Sequence, residues 1–283
     1  MNFRVNCGLR YSLRDPATFL FSIQCMEMGA QRLLKESLKF SPSLAAQEFR
    51  NSGNETRFSR ITTADEGTLE VSYDADVRIS PQLVPLETIV SNQLKDLSPE
   101  VIPLLFPSRY CQSDRLRQPA YELFGHLTES YEIALAIRDW LASNIEYVSG
   151  SSGENCSAVD TLDRREGVCR DFAHLGIAFC RALNVPARYA SFYAYQLNPQ
   201  DFHACFEAFI GGAWYTFDPT GLAPLNGLIR IATGRDAADA AVCTIFGNPE
   251  LTLSWVTCSC LDADFVPLTQ ADLTERHAAI TLA

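Results

Sequence analysis

Two aromatic-rich runs, His203 to Ile210 (HACFEAFI) and Ala213 to Asp218 (AWYTFD), meet at Gly211-Gly212. Adjacent glycines accept the positive φ values of a two-residue hairpin turn, so the runs are expected to pair as antiparallel strands in a register set by the turn. With the glycines as the loop, Ile210 faces Ala213, and counting back leaves His203 two residues out of step with Asp218. An offset of two keeps both side chains on one face, as diagonal neighbours. A four-residue loop centred on the glycines preserves this parity; a three-residue loop destroys it. A carboxylate placed this way can orient the imidazole and fix its tautomer.

The residues before the hairpin read as helix. Phe172, Gly176, Phe179, Cys180 and Leu183 line one face at helical spacing. Asn184 suits the left-handed position after a helix, and Pro186 forbids continuation. The start, Gly167-Val168-Cys169, puts a cysteine in the first turn, where unpaired N–H groups and the helix dipole favour a thiolate. The chain has four histidines that might serve as its base, and they can be tried in turn. His174 lies five residues on, about 140° around the helix, and suits a core or supporting role. His126, beside a glycine in a loop, and His277, in a short helical tail, have nothing to orient them. His203 has Asp218. By position alone the three residues also fit a buried helix thiol, a strand histidine and a turn aspartate before Pro219.

The rest of the chain sorts into two textures. Up to about residue 115 the short apolar run Thr18 to Cys25 and the alternating runs Arg57 to Thr62 and Thr68 to Ile79 are expected strands of a small sandwich-like β-domain. Prolines 81, 85, 99, 103 and 107 then exclude one long helix and leave a connector with one or two short ones. Beyond it, Ile133, Ile137, Trp140, Leu141 and Ile145 form a helical stripe with Ser130 as its expected cap. Ser149 to Ser157 is a polar loop. Ala187 to Leu197, Leu228 to Thr233 and Leu251 to Cys260 are further strands. The expected class is α+β, with a β-domain over residues 1–115 and helices packed on an antiparallel sheet over 116–283.

Ten cysteines are scattered along the 283 residues with no Cys-x-x-Cys among them, which argues against a zinc ribbon. Cys258-x-Cys260 is the closest pair, and two packing thiols explain it. A chain of this length needs no disulfide frame, so the cysteines are expected to be reduced. The N-terminal residues lack the apolar core of a signal peptide, and no run is long enough to span a membrane, so a cytoplasmic location is expected. The formal net charge of −11 argues against nucleic acid and anionic membranes as partners.

Four strings resemble the transglutaminase-like superfamily: GVCRDFAHL around Cys169, CRALNVPARY after it, DFHA around His203 and GAWYTFDPT around Asp218. The resemblance is strongest over about residues 130 to 220. FPSRYCQSD (106–114) and RIATGRDAAD (230–239) further resemble the bacterial subgroup with an N-terminal β-domain, some members of which are described as cysteine proteases.

The resemblance implies a papain-like triad, with Cys169 as nucleophile, His203 as base and then acid, and Asp218 as the orienting group. An acyl-thioester would form and be resolved by water or an amine. The Cys169 amide would supply half of the oxyanion hole, with Asn155 in the polar loop as candidate second donor. Trp214 and Arg235 are candidate cleft residues, although packing and loop-holding ion pairs explain them equally. Many relatives have tryptophan directly after the His-Ala pair, where this chain has Cys205. No cofactor or metal is implied; the calcium sites of animal transglutaminases have no matching acidic loop here. The expected activity is amide hydrolysis on a peptide or protein. Glutamine–amine acyl transfer and a non-catalytic protein-binding scaffold are alternatives, and arylamine acetyl transfer ranks below them because its nucleophile lies much nearer the N-terminus.

Overall fold

The hairpin forms in the expected register. In the computed structural model, described for residues 1–51, 53 and 55–282, Ile210 pairs with Ala213 and the ladder runs back to Phe206 opposite Phe217. Gly211 and Gly212 take φ of 60° and 84°, values that a side chain would strain. Asn184 has φ 62°, as expected of the residue that ends its helix.

Along the chain come strands β1 (Asn2–Leu13), β2 (Ala17–Phe21), β3 (Gln31–Ser41), β4 (Gln47–Arg50), β5 (Arg57–Thr63), β6 (Gly67–Ile79) and β7 (Gln82–Pro85). The proline-punctuated connector carries three short 3₁₀ turns. Helices α1 (Arg117–Phe124) and α2 (Ser130–Asn144) follow, then β8 (Glu146–Tyr147), α3 (Ala158–Arg164), β9 (Glu166–Gly167) and α4 (Cys169–Ala182). The remainder is β10 (Ala187–Ala194), β11 (Phe202–Ile210), β12 (Ala213–Phe217), β13 (Leu228–Gly234), β14 (Cys243–Phe246), β15 (Glu250–Cys260), α5 (Gln270–Glu275) and β16 (Ala278–Thr281). The class is α+β. Several elements lie outside the expected set, among them strands β1, β3, β4, β7, β14 and β16 and helices α1 and α3. Ser130 is the first helical residue rather than the cap: its amide donates to Ser91 Oγ of the connector.

The N-terminal strands build two four-stranded sheets, ordered β15-β1-β6-β3 and β14-β2-β5-β4. Every second residue of β1, from Phe3 to Leu13, is buried, and these face a core with Phe19, Phe21 and Ile61. A boundary at residue 115 therefore describes the order of the chain but not the sheets. Strands β14 and β15, from the far end of the sequence, pair antiparallel with β2 and β1. Pairing there buries Val256 and Cys258 of β15, while Leu251, Leu253 and Trp255 stay exposed on its outer face.

The third sheet has the order β12-β11-β10-β13. Helix α4 packs against it closely enough that a Cβ on Gly176 would lie 2.6 Å from the Phe206 ring. Tyr131 of α2 meets Tyr215 and Phe217 on the same side. The opposite face buries Phe192 and Cys205 under Leu273 and Ile280 of the C-terminal segment. Arg230 of β13 ties these parts together. Its guanidinium pairs with Glu207 and donates to the Leu282 carbonyl, while Gln31 of β3 bonds both its amide and its carbonyl.

Candidate active site

Three elements deliver the three candidate catalytic residues. Cys169 opens α4, where backbone N–H groups have no partner within the helix. The start of this helix is held from both sides. Asp171 accepts the Val168 amide at 2.9 Å and the Ser152 hydroxyl at 2.8 Å. Gly167 is required there, since a Cβ would lie 2.7 Å from Asp171 Cβ. Arg170 donates to Ser152 Oγ and the Gly153 carbonyl, so the charged pair after Cys169 fastens the polar loop.

His203 and Asp218 sit just past the last ladder pair and meet as diagonal neighbours. His203 Nε2 lies 2.8 Å from Asp218 Oδ2, with both side chains buried. Thr220 donates its amide (2.9 Å) and hydroxyl (2.7 Å) to Asp218 Oδ1, so the carboxylate is held at both oxygens. Burial alone would favour neutral His203, but the Asp218 charge and the hydrogen bond to it outweigh burial and raise its pKa well above the ordinary imidazole range. Burial likewise works against ionised Asp218, yet His203 and Thr220 hold its carboxyl below the usual range. With Nε2 committed to Asp218, Nδ1 is the ring nitrogen left without a hydrogen-bond partner.

Half-buried Cys169 and His203 border one cleft of about 650 Å³. Tyr189, Ser191 and Asp201 line it beside them. The other cysteines are also unpaired, and burial pushes the thiols of Cys25, Cys111 and Cys205 up to about 12. Cys205 extends the same strand face as His203. Its sulfur, a His203 nitrogen and an Asp218 oxygen lie within 4.8 Å of one another.

Three further expectations are corrected. Asn155 is exposed and its Oδ1 accepts from Arg109 at 3.3 Å; it does not line the cleft with Cys169. Trp214 shares the face of Asp218, but it sits at the turn end of β12, about 13 Å of strand away. There it stacks under Arg188, 4.0 Å from the guanidinium carbon. Arg235 lies beside it and pairs with Asp239, away from the cleft.

Tyr147 and His174 stand near the site without belonging to the candidate triad. The two-residue parallel pair β8–β9 sets Tyr147 opposite Gly167, and burial together with the nearby Cys169 raises its phenol pKa. His174 is fully buried, accepts the Ala237 amide at 3.1 Å and stacks on Tyr110 with centroids 5.0 Å apart. Tyr110 in turn donates its amide to Asp236 at 2.9 Å. These bonds lock the 106–114 and 230–239 stretches against α4.

The geometry agrees with comparisons to other proteins. Residues 117–219 match the family model of the transglutaminase-like superfamily, and residues 1–94 match that of the bacterial transglutaminase N-terminal domain. A crystal structure from Cytophaga hutchinsonii, provisionally described as a cysteine protease, is 45% identical over 100% of this chain and 98% of its own, with a TM-score of 0.96. The chain belongs to the transglutaminase-like superfamily. An uncharacterized protein of Mycobacterium leprae (strain TN) is 33% identical over 125 residues, which span 40% of this chain and 43% of that protein. The superfamily core ends one residue past Asp218, so it contains all three candidate catalytic residues.

Proposed function

We propose that this transglutaminase-like protein is a cysteine-dependent amide hydrolase, acting on a peptide or protein through Cys169, His203 and Asp218. The observation that carries the proposal is His203, held by Asp218 at 2.8 Å and bordering the same open cleft as a cysteine at a helix N-terminus.

In the proposed reaction the Cys169 thiolate attacks the amide carbonyl and the C–N bond breaks as the His203 imidazolium protonates the leaving amine. The Cys169 amide stabilises the oxyanion. Neutral His203 then takes a proton from water as its oxygen attacks the thioester, releasing the acid and restoring the thiolate–imidazolium pair. Asp218 stays ionised and orients the ring. Hydrolysis is favoured over transfer to an amine because Cys169 is half-exposed, so water reaches the thioester.

The expected cytoplasmic location is part of this proposal. Ten unpaired cysteines, most of them buried, suit a reducing compartment. No helix among the described residues is long and apolar enough to cross a membrane.

Active-site labelling tests the reading. With limiting iodoacetamide near neutral pH, Cys169 is expected to alkylate well before the other nine cysteines, and His203→Ala to remove that preference. Equal labelling of all ten, or a preference unaffected by His203→Ala, would overturn it. Turnover of casein with and without added cadaverine then separates hydrolysis from acyl transfer.

A further inference from the structure

The cleft that holds Cys169 is closed on its far side by a strand of the N-terminal sandwich. Val242, Cys243, Thr244 and Ile245 are consecutive, and all four border it. Side chains alternate between faces along a strand, so four successive residues meet one cavity only when the strand turns its edge to it. Strand β14 is the terminal strand of its sheet, paired with β2 on one side and with no strand on the other among the described residues.

The register identifies the groups on that edge. Ser22 donates its amide to the Val242 carbonyl at 2.9 Å, and Thr244 stands opposite Leu20. Bonded and non-bonded pairs alternate in an antiparallel ladder, so Thr244 continues the bonding to β2. The N–H and C=O groups of Cys243 and Ile245 then point the other way, toward the cleft. Between β14 and the nucleophile the wall is made of alanines 237, 238, 240 and 241, whose small side chains leave room for a main chain.

We infer that the substrate is an extended peptide segment that adds as a strand to the open edge of β14, delivering its scissile carbonyl to Cys169. The inference rests on the proposed hydrolase reading and narrows it. An added strand is recognised through its main chain, whatever its sequence, whereas a side-chain amide on a folded surface has no free strand to offer. Four residues, about 13 Å of strand, span β14. The N-terminal sandwich thereby becomes part of the substrate site, which gives a reason for β14 to return to β2 across the whole length of the chain.

The test compares two thiol probes on the full chain. Iodoacetamide reports the Cys169 thiolate and needs no added strand. An N-acetyl-tetraalanine vinyl sulfone adds the same thiolate to its vinyl carbon, with the imidazolium proton passing to the neighbouring carbon, and carries a strand-forming main chain. Proline is tolerated on an edge strand where its missing N–H faces outward, so Ile245→Pro removes one outward donor. The ratio of peptide to iodoacetamide labelling rates is expected to fall about three- to tenfold in Ile245→Pro, the worth of one hydrogen bond. A backbone N-methylated tetrapeptide probe tests the same bonding in the unaltered protein and is expected to lose rate similarly. Selective iodoacetamide labelling of Cys169 with both ratios unchanged would overturn strand addition and leave the hydrolase reading standing. Loss of selective labelling in the parent protein would instead overturn the hydrolase reading on which the inference rests.

Discussion

Asp218 accepts the Nε2–H of His203 at 2.8 Å although the two are not cross-strand partners; the ladder has ended one step earlier at Phe206 and Phe217. The bond is diagonal, and Thr220 fixes the carboxylate that makes it. Asp218→Asn removes the charge that favours the imidazolium while keeping the size of the side chain. Iodoacetamide labelling of Cys169 at pH 6 is expected to slow by about tenfold or more, with partial recovery toward pH 8.5. A labelling rate across pH 5–9 checks this, and an unchanged profile would rule out the electrostatic role of Asp218.

The parent profile should extend to low pH for the same reason. Because the folded pKa of His203 is raised, the imidazolium persists above pH 6.5 and remains available to pair with a thiolate. His203→Ala is expected to slow Cys169 labelling most on the acid side of the profile. An acid limb left unchanged in His203→Ala would contradict the pairing.

His174 and His203 oppose each other in stability. Burial, reinforced by Arg170 and Arg181, holds His174 well below its ordinary 6.5, so the unfolded chain takes up its proton first as pH falls and the fold loses stability below about pH 6.5. His203 is raised, so its contribution is full below about 6.5 and is lost as pH rises through its folded value. Asp218 is depressed, and its contribution is present above about pH 4 and lost as pH falls through its folded value. His174→Phe is expected to reduce the difference in urea midpoint between pH 7 and pH 5. It should also cost about 1–3 kcal/mol at pH 7 by orphaning the Ala237 amide.

Gly176 sets how closely α4 approaches the sheet. Since a Cβ would lie 2.6 Å from Phe206, Gly176→Ala is expected to destabilise by about 1–3 kcal/mol and to lower casein turnover as Cys169 moves relative to His203. Thermal unfolding and the rate of casein hydrolysis, measured together, check both effects.

Glu207 lies fully buried between Arg188, Arg230 and Thr216. Glu207→Ala leaves two buried guanidinium groups without their carboxylate, at a cost of about 3–5 kcal/mol. Urea denaturation reads it directly. A loss below 1 kcal/mol would mean that these arginines find other acceptors.

The parts of the site that the sequence determined by itself are those set by neighbours along the chain. The two-glycine turn sets the hairpin register, and strand periodicity then brings His203 to Asp218. Helix α4 starts at Cys169 and ends before Asn184, as its spacing and stop signals require. The alternation of β1 is just as local, with Phe3, Val5, Cys7, Leu9, Tyr11 and Leu13 all buried, yet it is interrupted by no turn signal that would set it apart from a charged N-terminal stretch. Trp214 shows where such reasoning stops. Parity placed it on the face of Asp218, but position along the strand carried it to the far end. Only the tertiary structure decided that Asn155 turns to Arg109, that Tyr147 stands opposite Gly167 in a two-residue strand pair, and that β14 and β15 complete the N-terminal sheets. Those placements depend on which distant surfaces come together to cover apolar side chains and satisfy backbone groups. That outcome belongs to the whole chain and has no signature in any short stretch of it.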